Sequence, residues 1–420
     1  MSRDNKQDAL VPKLRFSEFR DAPGWETRSG DQLFDSISNR ASVDGLPVLA
    51  VTQEHGAVPR DEIDYHVSVS SKSIENYKEV CPGDFIISLR SFQGGIEYSS
   101  YHGICSPAYV ILRQSFDGSS DFYRHYFKSE RFIRQLTRNL EGLRDGKMIS
   151  YRQFSEQDLL FPASRERQRI ADCLGSLDDL ITAEGRKLDV LRYHKTGLMQ
   201  QLFPREGETQ PRLRFPEFQD TAPWEPKTID SVATLKNGYA FKSSTYVENG
   251  DFRIVTIGNV QEGRLDLEST RSIASLPEDI QDHQKLNPGD ILVSMTGNVG
   301  RVCIVSDTGL LLNQRVGKLV PQHIDHGFFF QMLNRQEFRS AMQLAAAGGA
   351  QGNVSAGGIR AFGFGCPVNK NEQKCIAVCL SALDTRIAAQ AEKLDALRTH
   401  KRGLMQQLFP YADDVPGGRI

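Results

Sequence analysis

The chain has no apolar run near the roughly 18 residues that a membrane-spanning helix requires. At 39% hydrophobic and 25% charged over 420 residues, its composition is that of a water-soluble globular protein with more than one domain. The first ten residues, MSRDNKQDAL, lack the apolar stretch of a signal peptide and read as a loose tail. The seven cysteines are scattered, with no Cys-x-x-Cys pair. That pattern excludes a disulfide framework or a Cys-rich zinc site and predicts free thiols in the cytoplasm. An excess of positive charge is also missing. Lys+Arg number 51 against 53 Asp+Glu, for a net charge of −2, so the bulk electrostatic footprint of a nucleic-acid binder is absent. Any such role must rest on local patches or on partners that carry positive charge.

The motifs of catalysis are missing too. There is no Asn-Pro-Pro-aromatic or Asp-Pro-Pro-Tyr tetrapeptide, no G-x-x-x-x-G-K-[ST] phosphate loop and no His-Glu-x-x-His. His323-x-x-His326 is an isolated pair. Gly348-Gly349 and Gly357-Gly358 lack the strand–loop–helix context of a dinucleotide fingerprint. The expectation is a chain with no catalytic, cofactor-binding or metal-binding residues of its own.

What the chain has instead is repetition. KLDVLRYHKTGLMQQLFP (187–204) returns as KLDALRTHKRGLMQQLFP (393–410), identical at 15 of 18 positions and offset by 206 residues. PKLRFSEF (12–19) returns as PRLRFPEF (211–218), each followed by a tryptophan at the same spacing, Trp25 and Trp224. Two copies of one unit of about 200 residues follow from this.

Each copy ends in a heptad seam. Ile170, Leu174, Leu177, Ile181, Leu188, Leu191, Leu198 and Leu202 step by four and three, with Glu184 and Lys195 at the two vacant positions. The second seam is Ile376, Leu380, Leu383, Ile387, Leu394, Leu397, Leu404 and Leu408, with Gln390 and Lys401 in the same two places. Leu-Phe-Pro ends both helices, because the residue before proline is pushed out of helical geometry. An apolar stripe of this length must be buried. The duplicate helix is the nearest partner, so an antiparallel coiled coil within one chain is expected, with Glu184/Gln390 and Lys195/Lys401 as polar layers fixing the register. A coiled coil between two chains is the other arrangement the heptads allow.

The segments before the helices differ in character. Asp84-Phe-Ile-Ile-Ser-Leu and Asp290-Ile-Leu-Val-Ser-Met are β-like runs after Pro82-Gly83 and Pro288-Gly289. Helical stretches over Phe122–Asn139 and Phe328–Ala347 follow, then glycine-rich loops. The fold class is therefore mixed α/β, with two globular α/β domains joined by two long helices in a pseudo-two-fold repeat. The domains match each other far less well than the helices do, which suggests one scaffold carrying two divergent readers.

At this point the chain resembles a known family, the specificity subunits of type I restriction–modification systems. The residues that carry the likeness are Lys13-Leu-Arg-Phe-Ser-Glu-Phe and its repeat from Arg212, and Pro-Gly-Asp at 82–84 and 288–290. The helix starts Glu166-Arg-Gln-Arg-Ile and Glu372-Gln-Lys-Cys-Ile, and Gly-Leu-Met-Gln-Gln-Leu-Phe-Pro at 197–204 and 403–410, complete it. The resemblance implies a tail (1–11), a first target-recognition domain (12–162), a spacer helix (163–204), a linker and second recognition domain (205–368), a second spacer helix (369–410) and a tail (411–420). It implies that each domain reads one half of an asymmetric bipartite site in double-stranded DNA and that the helices set the gap between the halves. It further implies docking of two methylation subunits, which use S-adenosylmethionine, and two restriction subunits, which use ATP and Mg. A non-enzymatic coiled-coil scaffold with two protein-binding domains, or an inactive orphan copy, are the alternatives that the heptads alone also permit.

Candidate DNA contacts follow from charge and amide chemistry. Arg124, Lys128, Arg131 and Arg138 recur at helical spacing and could neutralise phosphates. Arg144, Lys147, Ser150 and Arg152 lie in the following loop, where arginine can bond guanine bidentately. In the second copy, Gln351, Asn353 and Ser355, followed by Arg360, occupy the matching region, and carboxamides suit adenine. The loops after Pro-Gly-Asp add Arg90 and Gln93 in the first copy and Thr296 and Asn298 in the second.

Overall fold

A computed structural model describes residues 10–39, 45–63, 76–138, 149–205, 207–348 and 352–410. The chain divides into two compact units, and the division cuts both long helices. Unit 1 comprises residues 1–185 with 392–420, and unit 2 comprises 186–391. Each unit therefore holds one α/β domain, the start of the helix that follows it and the end of the other helix.

In unit 1, strands β1 (Glu26–Ser29), β2 (Phe34–Ile37), β3 (Leu49–Thr52), β4 (Gly56–Pro59), β5 (Lys78–Val80), β6 (Phe85–Ile87), β7 (Glu97–Tyr98), β8 (Gly103–Cys105), β9 (Val110–Gln114) and β10 (Asp158–Phe161) form small sheets. The largest is antiparallel with order β2-β9-β6-β7. The β-like run after Pro82-Gly83 is β6, buried on both faces. An aromatic core built on Phe34, Phe85, Tyr123, Tyr126 and Phe127 packs at ring separations of 5.1–6.1 Å.

Unit 2 repeats this plan with β11 (Glu225–Thr228), β12 (Ala233–Asn237), β13 (Phe252–Val255), β14 (Arg271–Ile273), β15 (Lys285–Leu286), β16 (Ile291–Ser294), β17 (Val302–Ile304), β18 (Leu310–Leu312), β19 (Val316–Pro321) and β20 (Gly363–Cys366). Its sheet β12-β19-β16-β17 matches the order of β2-β9-β6-β7. A second sheet, β14-β13-β18-β15, contains the parallel pair β13–β18.

The expected single helical stretches are each two helices. Asp121–Tyr126 is separated from Glu130–Arg138, and His326–Leu333 from Gln336–Ala347. In unit 1 the break is made by Ser129, whose hydroxyl donates to the Tyr126 carbonyl at 2.6 Å and accepts from the Phe132 N–H at 3.3 Å. Such side-chain bonds offer the backbone an alternative to a continuous helix.

The long helices are Ser164–Leu202 and Lys370–Leu408, each 39 residues. Every seam residue is buried or half-buried, while Asp172, Ser176, Asp179, Arg192 and Thr196 between them are exposed. Within unit 1, Lys401 pairs with Asp178 and Lys393 with Glu184. Positions rise along one helix as they fall along the other, so the segments are antiparallel. Within unit 2, Lys195 pairs with Asp384 at 2.6 Å. The two lysines at the vacant heptad positions thus do not form a layer together. In antiparallel register each meets the aspartate of the opposite helix, which neutralises a half-buried ammonium that a second lysine would have repelled. The helix ends insert Phe409 into the unit 1 core, 5.6 Å from the Phe122 ring and 5.5 Å from Tyr126. Phe203 takes the same place in unit 2, against Trp224 and Phe328.

The repeated N-terminal signature acquires its meaning here. Arg15 donates through Nε and Nη2 to both oxygens of Glu166 at 2.7 Å, and to the carbonyls of Ala22 and Pro23. Arg214 does the same to Glu372 at 2.7 and 2.8 Å, and Trp224 Nε1 adds a bond to that carboxylate at 3.1 Å. The Leu14 N–H bonds the Gln407 carbonyl, and the Leu213 N–H bonds that of Gln201. Each short segment therefore ties the end of one long helix to the start of the other. The pair in unit 1 is shielded, with side chains 7% and 2% exposed, and Glu166 raises the Arg15 pKa by direct hydrogen bonding.

Two outcomes are expected. Arg15→Met should destabilise unit 1 by about 3–5 kcal/mol, because it strands the buried Glu166 carboxylate, whereas Arg15→Met with Glu166→Leu should recover most of the loss. Urea unfolding of the two variants checks this, and equal losses in both would refute it. The second outcome concerns His125, 3.6 Å from Asp178. Burial, helped by the Lys401 charge and opposed by Asp178, lowers its pKa to about 4. An unfolded histidine titrates near 6.5, so the unfolded chain binds the extra proton between those values. Stability is then full above pH ~6.5 and falls by about 3 kcal/mol as pH drops toward 4. Gln331 is the residue 206 positions on and bonds Asp384 at 2.7 Å. His125→Gln should therefore remove this pH dependence, as read from Trp25 fluorescence in a Trp224→Phe background.

Candidate nucleic-acid interface

The Pro-Gly-Asp motif is a turn with a charged clasp. Gly83 and Gly289 both have φ of +95°, which favours glycine. The Asp84 carboxylate accepts from the Cys81 N–H and, at 2.7–2.8 Å, from two nitrogens of Arg113, whose pKa it raises. Asp290 accepts from the Asn287 N–H and pairs with Lys318 at 2.7 Å. These clasps fix where β6 and β16 emerge, and so where the loops beyond them begin.

In unit 2 the two separately proposed loops meet. Thr296 forms an antiparallel bridge with Asn353, and the Val354 N–H bonds the Met295 carbonyl at 3.0 Å. Gly297 and Gly352 take positive φ on either side of this contact. Asn298 and Asn353 are exposed and Thr296 is half-buried. The Ser294 hydroxyl donates to the Asn298 carbonyl at 2.6 Å and holds the loop from beneath. Ser355 caps the short helix Ala356–Arg360, accepting from the Gly358 N–H, and Arg360 lies exposed 3.7 Å from Asp230. Gln351 lies outside the described residues.

The sequence did not single out two neighbours of this loop. Arg301 Nη1 donates to Gln261 Oε1 at 2.8 Å, and the Asn298 carboxamide, turned with its oxygen inward, accepts from Arg301 at 3.1 Å. Arg301 closes the same loop as Asn298 and was findable by that proximity. Gln261, 40 residues away, carried no signal.

In unit 1, Arg90 and Gln93 are exposed at the short helix Ser91–Gly94. Ser150 caps the helix Tyr151–Ser155 by accepting from the Gln153 N–H, the counterpart of Ser355. Arg152 is 89% exposed and reaches Glu156 at 3.3 Å. Arg144 and Lys147 lie outside the described residues. The continuous basic stripe does not form, because the chain turns between the two helices that carry it. Arg124 and Arg138 are exposed, but Arg131 is buried, and Lys128 is bonded to Glu97 at 2.5 Å and to the Gly94 carbonyl. One further cluster, Glu79, Cys81 and His102, gathers donor atoms within 4.8 Å. It is a half-exposed His102–Glu79 contact of 2.8 Å beside a thiol.

No helix among the described residues is long and apolar enough to cross a membrane. Residues 221–399 match the family model of the type I restriction modification DNA specificity domain. The chain is 25% identical over 342 residues to the type I restriction enzyme MjaVIII specificity subunit of Methanocaldococcus jannaschii, covering 78% of each. It is 20% identical over 410 residues to a putative MjaX specificity subunit of the same organism, covering 92% of each. Among solved structures, the type I restriction–modification S subunit from M. genitalium aligns with a TM-score of 0.59 at 14% identity, over 96% of this chain and 99% of that one. A chain from a study of assembly and conformational transition in the type I system aligns with a TM-score of 0.53 at 14% identity, over 93% and 98%. Both structures share the fold.

Proposed function

We propose that this chain, a member of the type I restriction–modification specificity-subunit family, reads an asymmetric bipartite site in double-stranded DNA, one half with each α/β domain, and has no active site of its own. The observation that carries this reading is a contrast within the molecule. The Arg–Glu ties, the Asp–Lys pairs and the Pro-Gly-Asp clasps are duplicated, while the exposed loop residues they position differ: Arg90 and Gln93 in one unit, Thr296, Asn298 and Asn353 in the other. Identical mounting of different polar side chains suits two readers of different sequence. Carboxamides and hydroxyls in unit 2 suit base edges, and arginine with glutamine in unit 1 suits guanine and adenine.

In this proposal the long helices set the gap between the half-sites and dock two methylation subunits, and two restriction subunits complete the assembly. S-adenosylmethionine, ATP and Mg belong to those partners.

Single-molecule sequencing of DNA from cells expressing the chain with its neighbouring methylation subunit tests the proposal. Adenine methylation at a two-part motif is expected. A stable complex that leaves no new motif would overturn it in favour of a scaffold or an inactive copy. Inserting four residues near Thr182–Arg186 should change the gap and leave both halves unaltered, and unchanged spacing would remove the ruler role. Asn298→Ala with Asn353→Ala should relax only the half read by unit 2, each lost bidentate contact amounting to about 1–3 kcal/mol of discrimination.

A further inference from the structure

Beside the first turn of the helix Glu130–Arg138, within unit 1, lies a cavity of about 220 Å³. Lys128, Arg131, Arg398, Lys401 and Arg402 line it, against one acid, Glu130. Two of the five cations are already neutralised, Lys128 by Glu97 and Lys401 by Asp178. Arg398 and Arg402 are exposed. Arg131 is only 8% exposed, and its Nη1 is buried with no hydrogen-bond partner among the described residues. A guanidinium nitrogen without an acceptor is costly in such a setting. The positive end of a helix adds to the field at the same place.

The second unit shares the scaffold and lacks the pocket's charge. At the 206-residue offset, Arg398 and Lys401 correspond to Arg192 and Lys195, but Arg402 corresponds to Thr196. On the domain side, Lys128 and Arg131 correspond to Asn334 and Glu337, flanked by the matching buried pair Phe132 and Phe338. Three of five cations are absent there and one is replaced by an acid. The charge is therefore a property of unit 1, not a consequence of building two copies.

We propose that this pocket binds a phosphate group, and that only unit 1 does so. Arginines present planar pairs of donors that match tetrahedral oxyanions, and a bound phosphate would give Arg131 the acceptor it lacks. The group could come from a nucleic-acid backbone or from a free phosphate, since both offer the same oxygens. The pocket's role does not depend on sequence reading by either domain.

The test is calorimetric titration of the full-length chain at low salt with inorganic pyrophosphate, and separately with a short DNA duplex. Saturable binding of one equivalent of pyrophosphate is expected. Arg398→Glu with Arg402→Glu should weaken it by about tenfold or more, while Arg192→Glu, in unit 2, should leave it unchanged. Arg131→Met should abolish it. Because Arg131 is buried, the exposed pair serves as the variant that leaves the fold intact, checked by circular dichroism. A duplex that competes with pyrophosphate assigns the site to a nucleic-acid backbone, and one that does not compete assigns it to a free phosphate. Absence of binding to both probes, or binding unchanged in the Arg398/Arg402 variant, overturns the proposal. So would a variant that still binds the anion but no longer associates with the methylation subunit, because the pocket would then hold an acidic side chain of a protein.

Discussion

The bidentate arginine–glutamate pair at the start of each long helix is the constraint on which the architecture depends. A chain in which each unit is made from three separated stretches needs a fastening that acts across large sequence distances. Arg15 and Glu166 are 151 residues apart, and Arg214 and Glu372 are 158 apart. The adjacent Leu14 and Leu213 amides hold the ends of the opposite helices. Two planar hydrogen bonds fix both distance and angle, so the tie sets how the helix start meets its domain. Buried ion pairs of this kind add little net stability compared with apolar packing, but breaking one leaves an unmatched charge. Their effect is to specify one arrangement, and the apolar seam supplies the stability.

The two copies are not equivalent where a neutral group meets a charged one. Asp178 and Asp384 each bond a lysine of the facing helix, and each has a second neighbour from its own domain: His125 in unit 1 and Gln331 in unit 2. Burial keeps His125 neutral near pH 7, so both neighbours are uncharged dipoles that leave the Asp–Lys pair intact. Only one of them can take up a proton in acid. The tryptophans diverge similarly: Trp224 Nε1 bonds Glu372, while Trp25 Nε1 is buried with no partner among the described residues. Duplication preserved the fastening and allowed its surroundings to drift.

Much of this was legible in the sequence because it is written as periodicity and repetition. The heptad steps from Ile170 to Leu202 and from Ile376 to Leu408 located both helices and their buried face. The Pro-Gly turns located β6 and β16, since glycine at positive φ before an apolar run has few other uses. What the sequence withheld was partnership. Lys195 and Lys401 look like two members of one polar layer because they occupy the same heptad position; only the antiparallel register shows that each faces an aspartate. Arg131 has the spacing of an exposed stripe, yet the Ser129 break redirects it inward. The bridge between Thr296 and Asn353 joins two loops that no local pattern connects.

The near-neutral charge of the chain follows from where its cations lie. Arg15, Arg113, Arg214, Lys318, Lys195 and Lys401 each sit against a carboxylate within the fold. Such cations contribute little to an outward field, because the paired charges cancel beyond a few ångströms. The positive charge that remains at the surface is local: Arg90, Arg124 and Arg138 on one domain, Arg360 on the other, and Arg398 and Arg402 on the last turns of the second long helix. A chain organised this way offers polar groups for recognition without the broad positive surface that drives indiscriminate attraction to phosphate. Under the proposed function, orientation at the loops would come from this chain, and most of the non-specific attraction from the subunits that assemble around its helices. Net charge is then a poor guide to whether such a subunit meets DNA, since it counts the internal fastenings together with the reading surface.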